Sequence, residues 1–374
     1  MLVDVNVKIA MLGAGFLRMY SMTRALIIAA AKTLDSVGTL HHCLALEARI
    51  QALEVDLREL VIEPLSTDWH SPEPEDHFRS GCAPIEALAR AKSLIAQGVP
   101  AVVISGVDHI KTGYTREERL RLMQVYGPEY PLTDAYNDLA GHFLQQYRGD
   151  EAQFRRLAHC LFENYKLSYR NALADDYLPE QLPGEHWHQP VTSLFRGVDC
   201  ANPVVDFTGR LLVCSEALAG KLDVPEQDRI EVRSVGLGRL EGDGPDHIKQ
   251  IAGYAHLRRA YQDCCAQASI DFAARFRAGD ALLETYTCFP VVPMAFLLAS
   301  GLVDLLDEMP AFLARHSVTI TGGMNLARGP WNNPALNALI SMYDCLRDGT
   351  EQIGMVHGNG GLGYRQGVAL LVKT

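Results

Sequence analysis

Apolar residues along this chain follow two rhythms. Ile85, Leu88, Ala89, Ala91, Leu94 and Ile95 recur at helical spacing, with Pro84 in the first turn and Gly98 as the stop. Val99–Gly106 is then a short unbroken apolar run bounded by a glycine on each side, the pattern of a buried strand. The same reading predicts a first strand over Val3–Leu12, a helix over Met22–Leu34 (Leu26, Ile27, Ala30, Ala31, Leu34) and mixed helix and strand signals over Leu44–Leu60. A charged helix over Thr115–Arg121 and amphipathic helices over Thr133–Gln146 and Glu151–Leu173 come next. Pro179–Gln189 is a Pro/Gly/His loop, and no strand pattern stands out between about residues 112 and 189.

Alternation then resumes. Leu211–Cys214 predicts a strand, Ser215–Ala219 the start of a helix, and Ile230–Leu237 a strand leading into a glycine-rich turn (Gly236, Gly238, Gly242, Gly244). A helix over His256–Ala274, a strand over Ala281–Tyr286 and a helix over Val291–Gly301 follow. Thr319–Thr321 predicts a strand ending in Gly322-Gly323, and Asn332–Arg347 a helix. Ile353–Gly363 and Val368–Val372 predict two strands around a glycine-rich loop. The order is that of an α/β protein with two similar halves, an arrangement that suggests internal duplication. The expected division is residues 1–111 for the first half, 112–190 for a mostly helical insertion, 191–215 for the end of the first half and 216–374 for the second.

Composition narrows the function. Of 374 residues, 48% are hydrophobic and 21% charged, as in soluble globular proteins. A net charge of −11 argues against sequence-independent binding to nucleic acid or anionic membrane. No apolar run reaches the roughly 18 residues of a membrane span. Nine scattered cysteines without CxxC or a leader pattern imply free thiols and a cytoplasmic location. His41-His42 and His186-Trp187-His188 lack companions at metal-ligand spacing, so no metal is expected. Gly13-Ala14-Gly15 lacks the third glycine of a dinucleotide loop, Arg18 standing in its place, and reads as a turn.

Three stretches carry candidate chemistry. Cys82 stands just ahead of the Ile85–Ala96 helix, where free N–H groups and the helix dipole favour thiolate, the nucleophilic form. Its plainer reading is a small buried apolar residue. Tyr286-Thr287-Cys288-Phe289 falls at a strand end, where α/β sheets gather their chemistry. His357-Gly358-Asn359-Gly360-Gly361-Leu362-Gly363 lets backbone approach a ligand closely, as an oxyanion hole needs, or else forms a tight hairpin.

From about residue 78 onward these stretches together resemble the thiolase superfamily, nearest to its thiolase-like, sterol-carrier-type acetyl-CoA acetyltransferase-like members. Cys82 with Ala87, Ile95, Gly98, Ala101 and Gly106 resembles the family's nucleophile helix and following strand, although the CxSG pattern is replaced by Cys82-Ala83-Pro84-Ile85. Asn202–Asp206 is similar to the (S/N)DGA segment, with Phe207-Thr208 for Gly-Ala. Tyr286–Phe289 takes the place of HDCF or NEAF, Gly322-Gly323 with Arg328-Gly329-Pro330 that of GG…GHP, and His357–Gly363 that of CxGGGxG. The GHP histidine is thus Gly329 and the second cysteine is His357, whose ordinary pKa near 6.5 suits proton transfer.

The resemblance implies duplicated α/β halves in a five-layer αβαβα fold and a homodimer built by pairing edge strands. It implies no bound cofactor, with a coenzyme A thioester as substrate. Cys82, His357, Cys288 and Tyr286 are then the expected catalytic residues, the last two lining the pocket. Asn359, Gly360, Gly361 and Gly323 are expected against the substrate. The first activity implied is acyl-CoA acyl transfer through Cys82. The second is a carbon–carbon lyase, as in thiolase-like aldolases that act with a small OB-fold partner, where Tyr286 or His357 handles the proton. The third is a catalytically altered subunit.

Overall fold

A computed structural model describes residues 23–374. The strand expected over Val3–Leu12 and the Gly13–Gly15 turn lie outside them. The helix expected over Met22–Leu34 is instead a strand, β1 (Ala25–Leu34). Ala25 through Ala31 is buried without interruption. A strand covered on both faces shows no alternation, so its apolar run reads as well at helical spacing.

After β1 come β2 (Val37–Gly38), α1 (His41–Ala52), β3 (Leu57–Ile62), β4 (His77–Phe78), α2 (Ala83–Ala96) and β5 (Ala101–His109). The mixed signals over Leu44–Leu60 are thus a helix followed by a strand. The next stretch holds α3 (Arg116–Leu122), α4 (Leu132–Tyr147) and α5 (Glu151–Leu173). Each has a local reason to start or stop. Thr115 and Glu118 form a capping box for α3, left-handed Arg148 ends α4, and the Asp150 side chain accepts the Gln153 N–H at the head of α5. The remaining elements are β6 (Asp206–Ser215), α6 (Glu216–Lys221), β7 (Ile230–Arg239), α7 (Ile248–Ile251), α8 (Ala255–Ala268), α9 (Phe272–Arg277), β8 (Ala281–Glu284), α10 (Val291–Ala299), α11 (Met309–Leu313), α12 (Pro334–Asp348), β9 (Ile353–Gly360) and β10 (Arg365–Lys373).

Two further expectations change. The helix expected over His256–Ala274 breaks at left-handed Ser269 and restarts under an Asp271 cap. Thr319–Thr321 is not a strand. The N–H groups of Ile320 and Thr321 and the Thr321 hydroxyl all donate to the carboxyl of Glu284, at 2.6, 3.1 and 2.6 Å. One buried side chain thus does what a ladder would have done.

The strands run in the order β4-β3-β5-β6-β1-β7-β10-β9-β8, with β2 on β1. Among the described residues, the halves meet where β1 pairs with β7 through Leu26↔Glu231 and Ile27↔Ile230. Helices α2 and α12 fill the space between them. Ile85, Leu88, Leu339 and Tyr343 share one core with Ile27, Val213, Val232 and Ala369. Helices α1 and α6 cover the other face of the first half, where Leu46 and Leu218 meet Leu26 and Leu212. Helices α8 and α10 cover the outer face of the second half, and α4 and α5 join that core through Phe143 and Phe154. These are the five layers αβαβα.

Among the described residues β4 is the outermost strand of the first half, and it has two residues. Pro72, Glu73, Pro74, Glu75 and Asp76 precede it. Prolines and charges of this kind blunt an edge against pairing with another chain. No helix among the described residues is long and apolar enough to cross a membrane.

Candidate active site

The chain leaves β4, turns through Arg79-Ser80-Gly81 and enters α2. Ser80 is buried and holds φ at +120°, a conformation that non-glycine residues rarely adopt. Its N–H donates to Asn332 Oδ1 at 3.1 Å, and its hydroxyl accepts the Cys82 N–H at 3.2 Å. Cys82 caps α2, as the sequence predicts, but it is 0% exposed. A Cβ placed on Gly367 would lie 2.9 Å from its sulfur, and one on Gly358 3.2 Å from its Cα. The thiol is therefore wedged between α2 and the β9–β10 pair, within an apolar core.

Burial pushes the Cys82 thiol well up, Glu86 adds to the rise, and Arg365 opposes it. A helix terminus contributes about 0.3–1 kcal/mol at a surface. Taking an ion out of water costs several kcal/mol. Burial therefore outweighs the helix end and keeps Cys82 a thiol.

His357 lies on the other face of β9. Side chains alternate along a strand, and Gly358 faces Cys82 while His357 and Asn359 point toward α10 and the insertion. The His357 ring packs 4.7 Å from that of Phe296. Gln366 Nε2 donates to Asn359 Oδ1 at 2.6 Å, which leaves Gln366 Oε1 to accept from His357 Nε2 at 2.8 Å. His357 Nδ1 is thereby the acceptor of the Tyr286 N–H at 3.4 Å. Both ring nitrogens are engaged, and burial lowers the imidazole to about 4. The sulfur and the imidazole do not share a cavity, because the hairpin register sends them to opposite faces.

A cavity of about 150 Å³ lies between Gly81, the insertion and the glycine loop. Tyr286, Cys288, Asn359 and Gly361 line it; Cys82, His357, Gly360 and Gly323 do not. Gly323 has φ +69° and lies against Thr287, and Gly360 lies against the Ser80 side chain, so both serve close packing. Burial pushes the Cys288 thiol up to about 12. The Tyr286 hydroxyl sits over Gly81, where a Cβ would overlap it. Burial raises its pKa well above the phenol value, so it stays protonated. It has no hydrogen-bond partner among the described residues, whereas the Tyr136 hydroxyl donates to Gly361 O at 2.6 Å and accepts from Asn359 Nδ2 at 3.2 Å.

Sequence reasoning missed the pocket's other walls. Tyr136 of α4 stacks on Phe289 with ring centroids 4.1 Å apart. Trp69 and Trp331 meet edge to face at 6.4 Å. A tryptophan stranded in the polar Ser66–Asp76 loop was the available signal. Gly329 also lines the cavity. Among the described residues no three His, Cys, Asp or Glu side chains group to hold a metal. A second cavity of about 660 Å³ adjoins the first at Ala201 and Pro203.

This geometry sets an order of thiol reactivity. In the native protein iodoacetamide should reach the partly exposed Cys160, Cys200, Cys265 and Cys345 first, and Cys82 only on unfolding. Mass spectrometry of timed digests reads the order, and early labelling of Cys82 would contradict it.

No protein-family model matches the chain, and no curated protein does. Solved structures do. A monomeric SCP2-thiolase-like protein type 1 from Mycobacterium smegmatis aligns with TM-score 0.65 and 17% identity over 94% of this chain and 78% of that one. The Acat5 thiolase from Ascaris suum in complex with coenzyme A aligns with TM-score 0.62 and 14% identity over 94% and 100%. The Ltp2–ChsH2(DUF35) aldolase aligns with TM-score 0.61 and 15% identity over 94% and 98%.

Proposed function

We propose, from a thiolase fold whose pocket holds an unpartnered phenol and whose candidate thiol is sealed away, that this chain is a carbon–carbon lyase. Its substrates would be β-hydroxyacyl thioesters of coenzyme A. The observation that carries the reading is the free Tyr286 hydroxyl at the floor of an apolar cavity. A phenol that lines a cavity with no protein partner is free to donate to, or accept from, a ligand that enters it.

In the cleavage the β-hydroxyl proton leaves to a base. The Cα–Cβ bond breaks, its electron pair becomes the enolate of the shortened thioester, and the β-carbon departs as an aldehyde or ketone. Tyr286 delivers the proton that Cα gains. His357 then positions rather than reacts, since its Nδ1 holds the Tyr286 N–H. The adjoining cavity, with Tyr169, Trp187 and Arg328 on its walls, has room for the rest of the substrate. Acyl transfer through Cys82 is disfavoured by the burial of its sulfur. Cys288, on the cavity wall, supports acyl transfer as the second reading.

The proposal includes the assembly. The two-residue β4 offers a homodimer little to pair, so we favour one chain acting with a small OB-fold partner. The aldolase among the similar structures pairs Ltp2 with ChsH2(DUF35) by name. The test is a panel of β-hydroxyacyl-coenzyme A thioesters, with the released carbonyl trapped as a hydrazone. Carbonyl release with an equal amount of shortened thioester is expected. Acyl exchange without carbonyl release, lost in Cys288→Ala, would replace this reading with the second.

A further inference from the structure

The proposed cleavage needs a base that the residues named so far do not supply. Tyr286 is a protonated phenol, and both nitrogens of His357 are occupied. Two further phenols line the cavity, and that of Tyr136 gives its proton to a backbone carbonyl, Gly361 O, which cannot hold one as a base would. Tyr126, from the loop between α3 and α4, donates its hydroxyl proton to Asp243 Oδ2 at 2.7 Å. Asp243 lies in the glycine-rich turn after β7, and its Oδ1 accepts the Leu362 N–H at 3.0 Å. It has no ion pair among the described residues, and burial pushes its carboxyl up.

The surroundings are built to admit this carboxylate. Gly361 has φ +57°, and a Cβ there would overlap the Asp243 carboxylate. Gly244, with φ +85°, brings the turn against the Tyr126 ring. Two positive-φ glycines thus bring a carboxylate to within one phenol of the cavity.

We propose that Tyr126 is the catalytic residue that accepts the β-hydroxyl proton, relaying its own proton to Asp243, which acts through it as the proton-holding residue. The inference rests on the lyase reading. As the substrate O–H proton moves to the Tyr126 oxygen, the Tyr126 proton moves to Asp243 Oδ2. The Cα–Cβ electron pair goes to the enolate, and the enolate takes its proton at Cα from Tyr286. A proton returned from Asp243 to Tyr286 through water restores the resting state, so nothing is oxidised or consumed. Tyr126 and Tyr286 thereby divide base and acid between them.

The experiment compares wild type, Tyr126→Phe, Asp243→Asn and Tyr286→Phe on the thioester panel. Tyr126→Phe and Asp243→Asn should each lower kcat by about 10²–10⁴-fold, the range for removing a general base. Their KM should stay within about threefold of wild type, because the lost interaction belongs to the transition state. In Asp243→Asn the side-chain amide can still accept the Leu362 N–H but cannot take the proton, which separates chemistry from support of the hairpin. On wild type, rates measured across mixtures of H₂O and D₂O should curve as two protons move together. Near-wild-type kcat in both variants, with Tyr286→Phe inactive, would overturn the relay and leave the lyase reading standing. No cleavage by wild type of any thioester would remove that reading and the relay with it.

Discussion

Replacing Tyr286 with Phe should cut turnover by about 10²–10⁴-fold, the span associated with a positioned acid or base, while replacing Cys82 with Ala should leave it within about threefold. The contrast follows from where the two groups sit. Tyr286→Phe removes one oxygen from the cavity floor and keeps the ring, the Tyr286 N–H to His357 and the packing. Cys82→Ala removes an atom that lies against Gly367 and does not line the cavity. It costs some packing, and its effect should appear in the melting temperature rather than in kcat. Steady-state kinetics of the two variants decide the matter, and the reverse pattern would restore the cysteine mechanism.

Gly81→Ala should disable the protein by another route. Gly81 is not at positive φ, so its backbone tolerates a side chain. The space does not: a Cβ would overlap both the Tyr286 hydroxyl and the Asn359 carbonyl oxygen. The carbonyl is part of β9, so relief must come from turning the phenol away or moving the elbow. Overpacking of this kind costs roughly 1–3 kcal/mol, and the displaced phenol should take turnover down with it. Gly141→Ala is the matched control. Nothing lies within 4 Å of a Cβ at that α4 position, and Ala in a helix is favoured over Gly by roughly 0.5–1 kcal/mol. Denaturation midpoints should therefore shift in opposite directions, and an unchanged midpoint and turnover in Gly81→Ala would refute the steric account.

What is legible in the sequence has a local cause. Helix α2 and strand β5 carry their own start, stop and apolar run, and the insertion helices carry caps and an apolar stripe. Strand β1 reads as a helix because its setting, covered on both faces at the centre of the sheet, is a property of the assembled layers. Thr319–Thr321 has strand-like residues but finds its partners on Glu284. The site divides in the same way. The strand end and the glycine loop point to Tyr286, Cys288, Asn359 and Gly361, all on the cavity. Which face of β9 carries His357 depends on the hairpin register, Gly360↔Arg365, and a shift of one residue would have reversed it. Tyr126, Tyr136, Trp69 and Trp331 arrive from loops and from an insertion whose docking no local pattern records.

Among the described residues, two rungs of backbone, Leu26↔Glu231 and Ile27↔Ile230, stitch one half of the sheet to the other. The real fastener is the pair of helices lying between them, and the Arg79–Gly81 turn beside the cavity leads into the head of one of those helices. Any loosening of that filling arrives at Gly81 and at the glycine loop together, since each half contributes one of them. The molecule has no way to shed a half and keep its cavity, and heat should take architecture and activity away in the same step.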